Sequence, residues 1–182
     1  ERFDLFGMDT QRVLNSYPIQ LTAGERQRSV IGISTILNPQ MVIADEPTSA
    51  LDVSTQKEVI KMIFDLLDKG IFQTMIFITH ELPLLYHVAD NIAIMYAGQI
   101  VEKGTAEQVV KDPRHPYTQA LMGAMLSTEA SQRGRHPVAI EGAPPSLRDK
   151  DMGKIRGCRF APRCKQACPD CKRNLQNLRE VG

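Results

Sequence analysis

The sequence lacks the features that would place it within a membrane or mark it for export. No run of the 182 residues approaches the ~20 consecutive apolar residues that a membrane-spanning helix needs. The opening residues, Glu1-Arg2-Phe3-Asp4, contain no apolar segment of a secretory signal. The chain also begins without Met and in the middle of a pattern, so we expect it to be a piece of a longer protein.

Cysteine is absent outside one short segment, which contains Cys158, Cys164, Cys168 and Cys171. Disulfides of secreted proteins more often link distant segments, so this clustering favours metal ligation. Four thiolates suit a 4Fe–4S cluster or a tetrahedral Zn²⁺ ion. A zinc site usually has two Cys-x₂-Cys pairs, and only Cys168 and Cys171 have that spacing. We therefore rank an iron–sulfur cluster ahead of Zn²⁺, with free thiols or disulfides as a third alternative.

Positive charge is scarce in the first part of the chain and concentrated in the last. Residues 131–182 contain 12 Lys/Arg and 5 Asp/Glu, although the net charge of the whole chain is only +1. A basic segment can bind nucleic acid or anionic lipid. However, this one lacks the interleaved aromatic residues of single-strand binders. We favour a solvated surface around the cysteines, where Lys and Arg would offset the charge of a thiolate-ligated cluster, and we expect no nucleic-acid partner.

Two short apolar runs, 41–45 and 73–79, predict buried strands of a parallel sheet. Helical periodicity over 24–37 and 54–68 places a helix before the first strand and another between the two strands. This alternation predicts an α/β fold with a mainly parallel sheet and flanking helices. The further predicted elements are a short helix over 82–89, a hairpin of 91–96 and 99–103, helices over 106–111 and 116–126, and a linker over 127–150.

Ionisable residues stand directly after both predicted strands. Asp45 ends the first strand and Glu46 follows it, while His80 follows the second. Two adjacent carboxylates are costly to bury unless a cation compensates them, and hydrated Mg²⁺ is suited to that role. Asp45 would then bind the Mg²⁺ shell, and Glu46 would orient or deprotonate a water molecule. By themselves the two acids fit an ordinary solvated strand end equally well, and His80 alone is more often a packed side chain.

The neighbouring residues decide between these alternatives. Leu21-Thr22-Ala23-Gly24-Glu25 lies upstream, and Pro47-Thr48-Ser49-Ala50-Leu51-Asp52 follows the acids directly. In this order the motifs resemble those of the ABC ATPase family. The resemblance implies a signature motif at 21–25, a Walker B strand at 41–46 with Glu46 as the catalytic glutamate, and a D-loop at 49–52 that includes Ser49 and Asp52. It makes His80 the switch histidine.

The signature segment has a physical rationale of its own, because a helix start presents unpaired N–H groups to an anion. The resemblance implies that Thr22, Ala23, Gly24 and Glu25 contact the γ-phosphate of an ATP molecule held by the opposite subunit, with Mg²⁺ as cofactor. The segment departs from the usual Leu-Ser-Gly-Gly-Gln. Ala23 adds a methyl group, and Glu25 adds negative charge near the phosphate unless it points away.

A phosphate-binding loop of the form Gly-x-x-x-x-Gly-Lys-Ser/Thr does not occur in the 182 residues. In the family this Walker A loop precedes the signature motif. We therefore expect an ABC-type ATPase activity in a complete subunit, and little or none in the isolated 182 residues.

The last part of the chain narrows the resemblance. The segments 113–121 and 157–164 resemble the region after the ATPase core in oligopeptide, dipeptide and nickel importers. This implies a partial ABC ATPase domain at 1–112 and an importer-type C-terminal region at 113–182. It further implies an energy-coupling subunit that pairs with a second ATPase subunit, identical or different, and with membrane permeases, peripheral on the cytoplasmic face. The alternative is a non-catalytic metal-binding or regulatory module.

Overall fold

The computed structural model describes residues 3–126, 140–146 and 156–180. The chain divides into two compact units, one formed by residues 1–80 and the other by residues 81–182. Each unit is described by itself below. The domain division after residue 112 follows the motifs rather than the packing, and it stays a prediction.

The first unit contains two parallel strands and three α-helices. Its elements are α1 (Thr10–Leu14), α2 (Ala23–Ser34), β1 (Met41–Asp45), α3 (Val53–Asp68) and β2 (Thr74–Ile78), with 3₁₀ turns at Asp4–Phe6 and Pro18–Gln20. The helix predicted over 24–37 ends earlier, at Ser34. Asn38 has a positive φ of 48° and precedes a proline, which disfavours helical geometry at that position, so the last predicted turn does not form.

Strands β1 and β2 pair in parallel, from Met41 opposite Thr74 to Asp45 opposite Ile78. Helix α3 supplies the core of this unit through apolar residues spaced three and four apart, because that spacing places them on one helix face. The buried residues of this face are Val59, Met62, Ile63 and Leu66. The sequence pattern predicts fully buried strands, but alternate residues of both are exposed, with Ile43 60% and Ile78 46% exposed. One face of the pair thus packs on the core, and no element of the described chain covers the other.

The second unit is built on an antiparallel hairpin with helices around it. Its elements are α4 (Leu82–Val88), β3 (Asn91–Tyr96), β4 (Gln99–Thr105), α5 (Ala106–Lys111), α6 (Pro116–Leu126) and α7 (Pro169–Arg173), with a 3₁₀ turn at Ala161–Arg163. The two-residue turn Ala97-Gly98 joins β3 to β4, and both residues have positive φ, as this tight hairpin connection requires. Buried Ile92, Ile94 and Val109 form the core.

Both units follow the α/β pattern that the sequence predicts, with the helices and strands in the expected order. The predicted linker over 127–150 falls mostly outside the described residues. Within the described ranges, no helix combines the length and the apolarity that crossing a bilayer would demand.

Candidate functional site

The ends of β1 and β2 bring the predicted catalytic residues together. Asp45 is the last residue of β1 and pairs with Ile78, the last residue of β2. The amide of Glu46 continues this pairing by donating to the Ile78 carbonyl at 2.9 Å. His80 follows two residues later. The parallel register therefore places the acid pair and the imidazole at the same edge of the sheet.

Glu46 and His80 are in direct contact, with 2.8 Å between Glu46 Oε1 and His80 Nδ1. An ionised carboxylate can only accept a hydrogen bond, so His80 donates through Nδ1. Glu46 has a positive φ of 47°, which is uncommon for a residue with a side chain and typical of functional positions. The backbone conformation and the histidine together fix the direction of the carboxylate.

The second oxygen of this carboxylate has no hydrogen-bond partner in the described chain. Glu46 Oε2 is buried, as is the Thr48 hydroxyl, and neither atom receives or donates a hydrogen bond. A buried polar atom without a partner costs free energy, so such atoms are few in native proteins. Glu46 Oε2 is thus an acceptor held ready for a donor from outside the described residues.

The predicted D-loop is tied to Glu46 through backbone atoms. The amide and the hydroxyl of Ser49 both donate to the Glu46 carbonyl, at 3.3 and 3.2 Å. The side-chain amide of Gln56, one turn into α3, donates to the Thr48 carbonyl at 3.2 Å. Ser49 therefore contacts the Glu46 backbone, and Gln56 fixes the same loop from helix α3.

Asp52 is the N-cap of α3. Its carboxylate accepts from the amides of Ser54 and Thr55, both at 3.1 Å, and from both of their hydroxyls. The hydrogen bonds from Ser54 and Thr55 hold the pKa of Asp52 far below its usual range. Asp52 thus fixes the start of α3 in this structure.

The predicted signature segment forms the start of α2, with Thr22 as its N-cap. The Glu25 amide donates to the Thr22 hydroxyl at 3.2 Å, and the Thr22 amide donates to the Glu25 carboxylate at 2.8 Å. Arg12 forms an ion pair with the same carboxylate. Glu25 therefore points back onto its own helix start and is neutralised there. A phosphate contact by the Thr22 hydroxyl or the Glu25 amide would have to replace this capping box.

Gly24 brings the signature segment against helix α3. A Cβ atom at position 24 would lie 2.7 Å from the methyl group of Thr55, which is closer than real Cβ contacts come. Thr55 in turn binds Asp52. The first turns of α2 and α3, which carry the signature and the end of the D-loop, are therefore in contact. Glycine at this position has a packing reason in addition to the close phosphate approach that the resemblance implies.

Asp45 lies at the exposed end of β1. It lines a cavity of about 210 Å³, together with Val30 of α2 and Val42 of β1. Its carboxylate is open to solvent rather than bonded to Glu46, so it can serve as an oxygen ligand for a hydrated cation.

None of the four cysteines forms a disulfide in the described chain, and the structure places them unequally. Cys168 Sγ and Cys171 Sγ lie 3.1 Å apart, whereas Cys158 Sγ lies 3.9 Å from His115 Nε2. The Cys158 amide donates to the Cys171 carbonyl at 2.8 Å. All four cysteines are described, and within the described ranges no three His, Cys, Asp or Glu side chains converge as metal ligands.

The thiols of Cys168 and Cys171 differ in acidity because they share a hydrogen bond. This bond lowers the pKa of Cys168 and raises the pKa of Cys171. Burial lowers the pKa of the nearby His115, against a smaller opposing effect of Glu102.

Two arginines fasten the cysteine segment to the hairpin. Arg159 donates to the Ala97 carbonyl, and Arg163 donates to the Tyr96 hydroxyl at 3.1 Å and to the Glu141 carbonyl at 3.0 Å. Between them, buried Phe160 packs against Tyr96 with 5.2 Å between ring centroids. The sequence analysis favours a solvated surface for the basic residues around the cysteines. Arg159 and Arg163 instead form hydrogen bonds that hold this segment in place.

Four residues that contact the predicted site residues or their loop are not predicted from the sequence: Thr48, Gln56, Arg12 and Thr55. Each acts through a partner that is distant along the chain or through a backbone carbonyl, and no spacing rule marks such pairs. The only local signal is the position of Gln56 one turn after the N-cap Asp52, on the side of α3 that faces the loop.

Comparison with known proteins shows which family the chain resembles. The family model described as "Oligopeptide/dipeptide transporter, C-terminal region" matches residues 101–171. The dipeptide transport ATP-binding protein DppD of Caldanaerobacter subterraneus is 39% identical over 95% of this chain and 51% of its own length. The chain is therefore similar to the C-terminal part of ABC ATP-binding subunits of oligopeptide and dipeptide transporters. The oligopeptide transport protein OppD of Bacillus subtilis is 43% identical over 84% of this chain and 42% of its own length.

The chain spans about half the length of the curated relatives that it matches, in their C-terminal part. Solved structures support the fold. CbiO1 of Clostridium perfringens, described as part of the ABC transporter complex cbiONQ, superposes with a TM-score of 0.52 and 26% identity over 61% of this chain and 43% of that one. The dimeric ATP-binding cassette MJ0796, bound to ADP and Pi, superposes with a TM-score of 0.50 and 23% identity. The superposition covers 58% of this chain and 44% of that one.

Proposed function

We propose that this chain forms part of the ATP-hydrolysing, energy-coupling subunit of a peptide-type ABC importer. The observation that carries the proposal is the Glu46–His80 contact at the strand ends, which leaves Glu46 Oε2 buried and without a partner. The names of the relatives supply the substrate class, since they are dipeptide and oligopeptide transport proteins.

Glu46 acts as the general base for the attacking water. His80 binds Oε1, so the water donates to Oε2, the one carboxylate oxygen whose hydrogen-bonding capacity is unused. Ser49 holds the Glu46 carbonyl and thereby the backbone from which the carboxylate projects. His80 orients the base, and the register of the two strands brings it within reach.

Asp45 would hold the water shell of a Mg²⁺ ion, and the bound ion would supply positive charge that neutralises the transferred phosphoryl group. The open carboxylate at the strand end fits this role. ATP is the substrate, and its γ-phosphate meets the α2 helix start, Thr22 to Glu25, of the opposite subunit. Asp52, which fixes the start of α3, keeps the D-loop between these two faces.

The working form is a dimer of ATP-binding subunits, identical or different, attached to membrane permeases at the cytoplasmic face. Each subunit contributes its strand ends to one ATP molecule and its α2 start to the other. In the proposed dimer, this chain supplies a signature face and a strand-end site, and the phosphate-binding loop is supplied from outside these 182 residues.

A chimera tests the catalytic assignment. The N-terminal half of Bacillus subtilis OppD, joined to residues 1–182 of this chain, would contain every motif. We expect Glu46→Gln to lower kcat for ATP hydrolysis by about 10²- to 10³-fold, because a general base is lost, while ATP binding persists. The matched control is Glu107→Gln on α5, an exposed glutamate that forms an ion pair with Lys111. Equal rates for the two variants would refute the role of Glu46.

The isolated 182 residues provide a second test. We expect no measurable ATP turnover from the purified chain, since it has no Walker A loop. In the chimera, Glu46→Gln should dimerise with ATP and dissociate without it, as judged by size-exclusion chromatography. Turnover by the isolated chain, or a chimera that ignores ATP, would overturn the proposed arrangement.

Metal binding by Cys158, Cys164, Cys168 and Cys171 stays a prediction, with a 4Fe–4S cluster ahead of Zn²⁺. The described arrangement fits such a group only in part. Cys168 contacts Cys171, and Cys158 is bonded to the Cys171 backbone, but the four thiols do not converge. An absorbance spectrum with iron and zinc analysis of anaerobically purified protein tests it. Substoichiometric iron and zinc would exclude it.

A further inference from the structure

The cysteine segment contains a feature that neither ATP hydrolysis nor four-thiolate metal binding uses. Cys168 and Cys171 lie three residues apart at the start of α7, with Cys168 as its N-cap. Their sulfur atoms are 3.1 Å apart, about 1 Å more than the length of an S–S bond. The Cys158 sulfur lies 3.9 Å from His115 Nε2 instead, although the Cys158 amide donates to the Cys171 carbonyl.

We propose that Cys168 and Cys171 form a reversible disulfide by exchange with a low-molecular-weight disulfide, whenever the segment carries no metal. Positions three apart on one helical turn lie on the same face, so closure requires only rotation of the two side chains. The inference is independent of the proposed ATPase function.

Exposure gives the two thiols separate roles. Cys168 is exposed to solvent, whereas Cys171 is half-buried. Cys168 is therefore the thiol that an external disulfide reaches first, and Cys171 is the one that resolves the intermediate. The carboxylate of the intervening Asp170 accepts hydrogen bonds from the side-chain amides of Asn174 and Gln176.

The exchange balances in two steps. The Cys168 thiolate attacks one sulfur of the external disulfide RSSR, forms a mixed disulfide and releases RS⁻. Cys171 then attacks Cys168 Sγ and releases the second RS⁻. The two cysteines are oxidised, RSSR is reduced to two thiols, and the two protons from the cysteines pass to the released thiolates.

The pair is attached to the rest of the second unit through the backbone of Cys171. Its carbonyl accepts from the Cys158 amide, and a Cβ atom at Gly157 would lie 2.2 Å from the same carbonyl oxygen. Residues 157–160 are in turn fixed by buried Phe160. Oxidation therefore takes place on a supported turn rather than on a loose tail, which keeps the two sulfurs within reach of each other.

Glutathione exchange with peptide mapping tests the proposal. The 182-residue chain, freed of metal by anaerobic chelation and checked for an unchanged circular-dichroism spectrum, is equilibrated with oxidised glutathione, alkylated and digested with trypsin. Cleavage after Lys165 and Lys172 isolates Cys168 and Cys171 together in the peptide 166–172, while Cys158 and Cys164 leave in separate peptides.

We expect peptide 166–172 to lose two hydrogens and both alkyl groups, at least about tenfold in excess of its glutathione adduct, because the second thiol has a high effective concentration. A dithiol reductant should restore both labels. Cys168→Ser should abolish the cross-link, and the matched control Cys164→Ser should retain it. A persistent glutathione adduct on Cys168, or cross-links that involve Cys158 or Cys164 instead, would overturn the proposal.

Discussion

The two units hold their chemically important side chains by different means. In the first unit, Glu46 and His80 stand at the ends of paired strands, and Asp52 caps a 16-residue helix. In the second unit, the cysteines lie in a segment whose only regular elements are a 3₁₀ turn and the short helix α7, and arginines and one phenylalanine fasten this segment to a hairpin. Regular elements fix a site through their own hydrogen bonds, whereas an irregular segment depends on a few side-chain contacts. The second site should therefore be more sensitive to single substitutions.

The largest effect is expected at Gly157. A methyl group there would lie 2.2 Å from the Cys171 carbonyl oxygen, and backbone cannot move aside as a side chain can. We expect Gly157→Ala to destabilise the second unit by about 3 kcal/mol, measured by urea unfolding, and to speed alkylation of Cys171.

Gly123→Ala is the matched control for this substitution. A Cβ atom at position 123 meets nothing within 4 Å, and alanine favours the α6 helix by about 1 kcal/mol. It should therefore leave stability unchanged or raise it. If the two variants unfold alike, the cysteine segment is not held by close backbone packing, and the contrast between the units fails.

Gly24→Ala should have the next largest effect, this time in the first unit. The added methyl group would meet the Thr55 methyl at 2.7 Å, which we expect to cost about 2 kcal/mol after the helical preference of alanine is counted. Thr55→Ser removes that methyl but keeps a hydroxyl for Asp52. The double variant should recover most of the loss in a thermal-unfolding cycle. Additive single effects would show that the two helix starts do not touch.

The strand-end site of the first unit is the part of the structure that the sequence predicts best. The positions of Asp45, Glu46 and His80 follow from two apolar runs and one rule about parallel strands, and the structure places Glu46 against His80 as expected. These positions could be predicted because each of the three residues directly follows or ends an apolar run in the sequence. The N-caps that the structure shows at Thr22 of α2 and Thr105 of α5 are likewise local, because each hydroxyl accepts from an amide three residues away.

The remaining contacts could not be predicted, because they join residues whose separation in the sequence matches neither a helical nor a strand repeat. Arg12 meets Glu25 across 13 positions and Arg163 meets Tyr96 across 67. Such pairs depend on how elements pack, and a charged residue gives no sign of which partner it will find. The same reason limits the cysteine prediction, because spacing shows that four thiols are near in sequence but not that their side chains converge.

Glu102 offers a smaller test of how the second unit fixes its loops. Its carboxylate accepts from the amides of Arg114 and His115, at 2.7 and 2.9 Å, just before helix α6. We expect Glu102→Ala to lower the unfolding free energy by about 1–2 kcal/mol, because two amides lose a charged acceptor. Glu107→Ala, which removes only an exposed pair with Lys111, should change little. Equal losses would argue against the capping role.

The smallest expected effect is a pH dependence of stability that arises from His115. His115 lies in the second unit, so we expect this dependence there and not in the first unit. Burial lowers the pKa of His115, and its Nδ1 accepts from the Tyr117 amide, so the neutral ring is the form that fits. The unfolded chain binds the proton more readily, and this part of the stability is lost as pH falls below about 6.5. The unfolding midpoint should drop between about pH 7.5 and about pH 5.5. His115→Asn should flatten that slope, whereas exposed His87→Asn should not; identical slopes would remove His115 as the cause.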